Sequence, residues 1–567
     1  MTGDWLANFP PGLIMILGAV LVPFLPGLSR KIWMLALPVL AFVHLLGLEQ
    51  GMLGRMVLFD LELTTLRVDR LGLIFGYIFL IATFLGVVYQ LHVKGWLEQV
   101  ATLIYAGSAT GAIFAGDLVT LFLFWEGTAI SSVFLIWAAG TPQALAAGQR
   151  YVLIQITSGM ILLAATMIHH GQTGSIAFES FDVTSLAGLL IFLAFGIKAA
   201  FPLLHFWLKD AYPQATVTGA VILSAFTTKL AIYALARGFA GTEILIPIGT
   251  VMAAFPIVFA LMENDFRRVL AYSLNSQLGF MVVGIGIGTE LSLAGTAAHA
   301  VCSVLYQGLL FMSMGAVLMR TGTAKGSELG GLYRSMPITA AFCCIGAASI
   351  SAFPLFSGFV SKSLIISASL KGEYFVTWMV LLFASAGAFL HSGFRVPFFV
   401  FFGRDSGLRP REAPKNMLTA MGIAAFLCIG IGVLPGVLYA LLPSPVKYEA
   451  YTLEHIVTQM QILVFAAVVF VVFLRMGQLP SLQRAINLDV DWIWRKPVAW
   501  IAGGLHIALL NFLSGLTAKT AEAGARLART LYYEHGPTGR LARTRPSGSM
   551  ALYMAALLVA FMAFSFF

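Results

Sequence analysis

The sequence predicts an all-α polytopic membrane protein with fourteen core helices, an internal inverted repeat, and one to three further helices toward the C-terminal end. Composition points there first. Of 567 residues, 59% are hydrophobic and 10% charged, with a mean hydropathy of +0.90, where soluble domains average about 25% charged. Apolar runs of ~20 residues, the length that crosses a bilayer as a helix, then recur along the chain. Last comes a short repeat, AFPLL at 200–204 and AFPLF at 352–356.

The elements follow in order. The first apolar run, 11–27, follows MTGDWLANFPPG, which has no basic n-region. It is expected to be a retained helix and not a cleaved signal peptide. Further runs fall at 32–49, 72–92, 99–115, 118–139, 150–169, 185–208, 216–237, 244–262, 268–287, 291–319, 336–369, 375–402 and 416–442. The segments at 291–319 and 336–369 are long enough to be tilted, broken or extended beyond the bilayer. Asp117, just before the fifth span, reads as a helix N-cap. Beyond residue 450, 457–475 and 550–567 read as spans. The stretch 499–516 is apolar enough to cross, yet crossing would export Lys519, Arg526, Arg529, Arg540, Arg543 and Arg545. Either it lies in the interface as an amphipathic helix or the tail breaks the charge rule.

Loop charge orients the bundle. Loops after odd-numbered spans hold fourteen Lys and Arg residues, from Arg30 to Lys415, against six after even-numbered spans. The positive-inside rule then makes the odd loops cytoplasmic and places the N-terminus outside. The net charge of +9 is thus partly topological, and no basic patch alternates with exposed aromatics as in a nucleic-acid surface. Cys302, Cys343, Cys344 and Cys428 sit in apolar segments without zinc or iron–sulfur spacing, and read as buried small hydrophobes. The sequence shows no phosphate loop, nucleophile elbow or metal-ligand helix. Neither a stand-alone enzyme nor a cofactor is expected, unless the chain serves a redox-driven complex.

The AFPLL and AFPLF copies lie in spans seven and twelve, five spans apart, so they would enter the membrane with opposite topology. Each proline interrupts an apolar helix and has a lysine seven or eight residues after it, Lys209 and Lys362. Proline removes a backbone hydrogen bond, and discontinuous helices at matching positions of inverted repeats are a transporter signature. The plainer alternative is two kinked structural helices.

Five titratable residues are embedded in apolar spans: Glu126, Lys198, Lys229, His299 and Lys362. A charge near the bilayer centre costs roughly 2.5–3.5 kcal/mol even on the mildest scale. Several in one chain imply a path for protons or ions. His205 and Asp210, at the end of span seven, are expected to line a cytoplasmic inlet or to cap the helix. His391 and Arg395, one turn apart in span thirteen, extend the polar axis outward unless Arg395 snorkels. His169 and His170 are expected exposed at a membrane edge.

The stretches FLFWEGTAISS, KAAFPLLHFWLKDAYPQATV, TKLAIYALAR, ENDFRRVLAYSLNSQLGFM, HAVCSVLYQGLLFMSMGAVL and GGLYRSMPITAAFCCIGAASISAFPLFSGFVSKSLI run in family order within about residues 70–405. They resemble the antiporter-like subunits shared by respiratory complex I, membrane-bound hydrogenases and Mrp-type cation/proton antiporters. The resemblance implies a fourteen-helix core, two inverted five-helix repeats, and broken helices seven and twelve. The chain would divide into N-terminal helices (1–98), a first half-channel (99–240), a second half-channel (241–405), a closing helix and loop (406–450) and a C-terminal extension (451–567). Carried over position by position, the resemblance assigns proton translocation to Glu126, Lys198, Lys229, His299 and Lys362. Where the family pattern in helix eleven has a second histidine and a Phe-Lys pair, this chain has Ser303 and Tyr306-Gln307. Water would have to bridge that gap.

The tail segment Asn487–Lys496, NLDVDWIWRK, resembles the long D-type subunits of Mrp antiporters, so an Mrp-type D-like branch is favoured. A complex I or hydrogenase subunit comes second, and a subunit for inorganic-carbon uptake third. The resemblance implies H+ and Na+ (or another monovalent cation) as transported ions. It also implies other membrane subunits as partners, homologous antiporter-like ones among them, together with lipid and no nucleic acid, in a bacterial inner membrane. Physically, burial disfavours a charged lysine and a neighbouring carboxylate favours it. A pair about 4 Å apart at an effective dielectric near 20 interacts by roughly 4 kcal/mol. Making and breaking a Glu126–Lys198 pair would load and release a proton toward Lys229. His299 would relay it and Lys362 would be the exit. A static Glu126–Lys198 ion pair locking two helices is the alternative.

Overall fold

The computed structural model describes residues 8–58, 60–476, 489, 492, 496–497, 499–540 and 542–566. Among them, twelve helices are long and apolar enough to cross a membrane, and three shorter apolar helices accompany them. The chain is an integral membrane protein. Each of the fourteen expected spans has a helical counterpart, including Trp96–Ile113, which has 18 residues and is mostly buried. Polar side chains fix where spans begin. Asp69, Asp117, Thr141, Ser185, Thr216 and Thr289 each accept a backbone N–H at the start of spans three, five, six, seven, eight and eleven. These caps satisfy donors that a helix end leaves free, and the expected cap at Asp117 is among them.

Spans seven, eight, twelve and thirteen depart from continuous helix part-way along, and spans one and fourteen near their ends. Span seven consists of Leu186–Lys198 and the short Phe206–Ala211; span twelve of Pro337–Ile350 and Ser357–Lys371. Span eight divides at Phe226 into Val217–Ala225 and Thr227–Gly238. Span thirteen, Phe375–Phe402, is a single length of helix loosened by π turns at Phe389–Phe394 and Phe398–Phe402. Span eleven, Glu290–Thr321, stays unbroken over 32 residues.

A hairpin between spans two and three was read as loop from the sequence. Strands β1 (Gly51–Leu58) and β2 (Leu61–Val68) pair antiparallel. It is laced to the bundle: Thr64 N donates to Asp117 Oδ2 at 2.8 Å, Arg67 N to the Phe114 carbonyl at 2.7 Å, and Arg67 Nη1 to the Phe178 carbonyl at 2.9 Å. Across the repeats, the buried Arg267 of span ten donates to the carbonyls of Tyr212, Pro213, Ala215 and Thr216. Tyr89 donates to the Met312 carbonyl at 2.7 Å.

The chain separates into two compact units, Met1–Asn487 and Leu488–Phe567. The first holds the fourteen spans and a fifteenth helix, Leu453–Arg475. The second contains Ala499–His535 and Ser547–Phe566. Helix Ala499–His535 does not stop at residue 516. It runs on through Lys519, Arg526 and Arg529, 37 residues or about 55 Å in all. The segment Asn487–Lys496 lies outside the described residues apart from Asp489, Trp492 and Lys496.

Candidate functional site

The two AFPL sequences fold into the same backbone. Ala200 and Leu203 adopt left-handed φ of 61° and 69°, and Ala352 and Leu355 adopt 56° and 75°. Phe201 N bonds the Gly196 carbonyl at 3.0 Å, and Phe353 N bonds the Ala348 carbonyl at 3.0 Å. These are six-to-one closures of the Schellman type, built without glycine. Each left-handed non-glycine residue costs about 1–2 kcal/mol, so both breaks carry the same strain.

In this register residue 198 corresponds to 350, and 210 to 362. That corrects the pairing of Lys209 with Lys362 read from the sequence: Lys362 matches Asp210, and Lys209 matches Ser361. Lys362, 1% exposed, folds back so that Nζ donates to the Ile350 carbonyl at 2.7 Å. Ile350 is the counterpart of Lys198. Lys198 thus grows from the turn whose counterpart in the second half accepts the Lys362 ammonium.

Lys198 is fully buried. Its Nζ donates to the Trp125 carbonyl at 2.7 Å and Thr128 Oγ1 at 2.8 Å, and lies 4.2 Å from the Trp125 ring centre. All three groups belong to span five, as does Glu126. The expected Glu126–Lys198 ion pair is not formed among the described residues. Lys198 is held by neutral oxygens, and Glu126 Oε1 is buried without a hydrogen-bond partner. The two charges remain within electrostatic reach of each other. A Cβ added at Gly159 of span six would overlap Glu126 Oε1, so this glycine makes room for the carboxylate.

Lys229 is fully buried one turn past the Phe226 break, with Nζ 2.7 Å from the Ser224 carbonyl. His299 lies within electrostatic reach of both Lys229 and Lys362. Its Nδ1 is 3.0 Å from Ser361 Oγ, and its Nε2 is 3.4 Å from Tyr306 OH. Gln307 Nε2 donates to the Leu270 carbonyl at 2.8 Å, while Oε1 is buried and unpartnered. His391 is fully buried, its Nδ1 2.7 Å from Ser392 Oγ, within electrostatic reach of Lys362 and Arg395. Arg395 does not snorkel: it is 1% exposed and donates to the Ala260 carbonyl at 2.8 Å.

The structure thus brings together Lys229, His299, Lys362, His391 and Arg395 as one file, and Glu126 with Lys198 as another. Asp210 is held away from both by Arg150, with N–O distances of 2.7 Å. His205 is buried at the start of Phe206–Ala211, its ring 4.6 Å from Phe255. His169 and His170 are half-buried and not exposed, and His169 packs edge-on to Phe181. Cys302, Cys343 and Cys428 are buried and Cys344 partly so, all free thiols.

Other groups escaped the sequence reading. Glu98, buried at the start of span four, accepts hydrogen bonds from Thr216 and Thr218. Its carboxylate lies at the edge of an apolar run, the one signal available. Arg237 of span eight pairs with Asp69 at 2.8 Å. Along spans three, six, eight, ten and eleven, the side chains of Gln90, Gln155, Thr228, Ser273, Asn275 and Ser303 are buried with polar atoms lacking any protein partner. Buried polar groups take a partner, and water fills the role where protein does not.

Two matching breaks five spans apart, with buried amines near them, mark the chain as a membrane protein with an internal repeat. Residues 115–388 match the family described as NADH:quinone oxidoreductase/Mrp antiporter, transmembrane. That match covers a little under half of the chain. It is 31% identical over 292 residues to the D component of the Na(+)/H(+) antiporter of Alkalihalophilus pseudofirmus, covering 48% of this chain and 59% of that one. Hydrogenase-4 component B of Escherichia coli is 28% identical over 430 residues, covering 65% and 62%. A chain in the Mrp complex from a Dietzia species superposes with a TM-score of 0.77 at 23% identity, covering 92% and 62%. The chain spans about three fifths of the length of these relatives.

Proposed function

We propose that the chain is a proton-translocating membrane subunit of a multisubunit monovalent cation (Na+)/proton antiporter, of the Mrp D type. It would act in a bacterial inner membrane beside homologous subunits, with its N-terminus outside. The observation that carries this reading is the set of three buried lysines, each donating to a main-chain carbonyl, two of them beside a helix break, and none paired to a carboxylate among the described residues. A purely structural lysine would be expected to have a counter-ion, because a buried unpaired charge is costly. A lysine that must gain and lose its proton is better served by neutral acceptors and nearby water.

On this reading Glu126 biases the charge of Lys198, and water carries the proton past the Phe226 break to Lys229. His299 passes it to Lys362. Tyr306 OH lies 3.3 Å from Gln277 Oε1 and 3.4 Å from His299 Nε2. The test is Na+-driven proton movement in inverted vesicles holding the whole complex, read with a fluorescent pH probe. Loss of exchange on single substitution of Lys229 supports the reading, and unchanged exchange removes it.

The similarity to hydrogenase-4 component B over 65% of this chain favours a second reading, the membrane arm of a redox-driven complex. Exchange that needs an electron donor, and not a cation gradient, would select it.

Gln307→Lys is expected to be tolerated and to shift the pH optimum. The new amine can donate to the Leu270 carbonyl, as Nε2 does now. Blotting for the assembled complex and a pH profile check this. Failure to assemble would mean that the space around Gln307 is dry and carries no water link.

A further inference from the structure

The fifteenth helix, Leu453–Arg475, lies beyond the residues that define the family match. It packs on span thirteen, Phe470 against Phe394 and Phe398, and a cavity of about 140 Å³ lies between it, the second half of span twelve and Trp378 and Leu382 of span thirteen. From span twelve it is lined by Lys362, Ser363 and Ser367, and from the added helix by Glu454, His455 and Gln459. Burial is graded along it. Glu454 is exposed and His455 half-buried, whereas Gln459 is 8% and Lys362 1% exposed. From Lys362 to the far end of the lining, Leu370, is about 12 Å along the helix axis. The cavity therefore runs from mid-span to the membrane face that carries the loops after even-numbered spans.

Hydrogen bonds tie this helix to the break itself. Gln459 Nε2 donates to the Ser351 carbonyl at 3.2 Å, and the Leu355 N–H donates to Tyr451 OH at 3.2 Å. Tyr439 OH donates to the Val360 carbonyl at 2.9 Å. His455 Nδ1 lies 3.4 Å from Tyr448 OH, which is 2.9 Å from Ser367 Oγ. The first turn of the helix is already capped by Thr452, so a capping role does not account for His455. The titratable or charged groups facing the cavity are Lys362, Glu454 and His455, with Tyr448 behind the imidazole.

We infer that Glu454 and His455 form the terminal site at which Lys362 exchanges protons with the aqueous phase, the cavity being its outlet. The proposal rests on the proton-translocation reading and adds a helix outside the matched core to it. A proton leaves Lys362 Nζ, breaking one N–H bond, and crosses water in the cavity to form an N–H bond on the imidazole. The imidazole releases a proton from its other nitrogen, to the Glu454 carboxylate or directly to bulk water. No electron moves.

Two measurements on the whole complex test it. Ser363→Cys should react with a membrane-impermeant thiol reagent added at the face of the even-numbered loops. Thr458→Trp, which fills the cavity, should slow that reaction and transport together. Absence of labelling from that face, or labelling indifferent to Thr458→Trp, overturns the outlet. The double substitution Glu454→Gln with His455→Gln should lower the exchange rate about tenfold with assembly intact, and a wild-type rate overturns the terminal site. Lys362→Leu serves as the control. If that variant transports normally, the proton path through Lys362 has failed, whereas the labelling result still reports whether the cavity is an aqueous outlet.

Discussion

Lys362→Leu stops proton/cation exchange while the bundle folds and the complex assembles. Leucine is apolar and has no proton to carry. The lost hydrogen bond leaves the Ile350 carbonyl short of a donor, a cost of about 1–3 kcal/mol. Removing a buried charge offsets this, since desolvation of such a charge can exceed what its partners return. The net effect on folding is therefore small, and the effect on transport is a loss of about a hundredfold or more, the scale of a missing proton-transfer group. Exchange in inverted vesicles, with blotting for assembly, reads both. Lys362→Glu should keep part of the activity, because a titratable group remains. Full activity in Lys362→Leu would place the exit elsewhere or leave the chain as a scaffold for a conducting neighbour.

Gly159→Ala gives the second large effect, and it acts through Glu126. The added methyl occupies the place of Glu126 Oε1. The carboxylate ends a flexible side chain and can swing aside, so the fold survives. Its field at Lys198 does not, and exchange falls toward the level of Glu126→Ala, in which it is abolished. Glu126→Asp keeps part of the rate because the charge stays while the reach shortens. The double variant Gly159→Ala with Glu126→Ala should be no worse than Glu126→Ala alone, the non-additivity expected of two changes on one interaction. If Gly159→Ala exchanges at the wild-type rate, the position of the carboxylate does not matter and the proposed control of Lys198 is wrong.

The spans were legible because a bilayer demands ~20 apolar residues and nothing else in the chain mimics that run. The breaks in spans seven and twelve were legible because proline inside such a run has few explanations, whereas the break at Phe226, which has no proline, was not. Glu126, Lys198, Lys229, His299 and Lys362 stood out because charge in hydrocarbon is expensive. What the sequence could not convey is where these side chains turn. Lys198 passes over the carboxylate in its neighbourhood for a carbonyl and a hydroxyl, a choice made by span packing. Lys362 reaches backwards across its own break, which only the left-handed residues at Ala352 and Leu355 make geometrically available. Asp210 is taken by Arg150, 60 residues earlier. The β1–β2 hairpin hid because its strands are as apolar as loop flanks elsewhere, and helix Leu453–Arg475 showed no sign in sequence of lying against Lys362.

Arg267 carries a consequence for how the machine runs. One guanidinium of the second repeat clasps four carbonyls of the first. A carrier that rocks one half against the other would have to tear this clasp open and remake it in every cycle. On the proposed reading, a chain clamped in this way would work as a fixed conduit, in which only rotamers and water rearrange. Those motions take picoseconds to microseconds, where hinged domains take microseconds to milliseconds. A covalent cross-link across the joint between residues 212–216 and Arg267's end of span ten should therefore leave exchange running; arrest by the cross-link would show that the joint is a hinge after all.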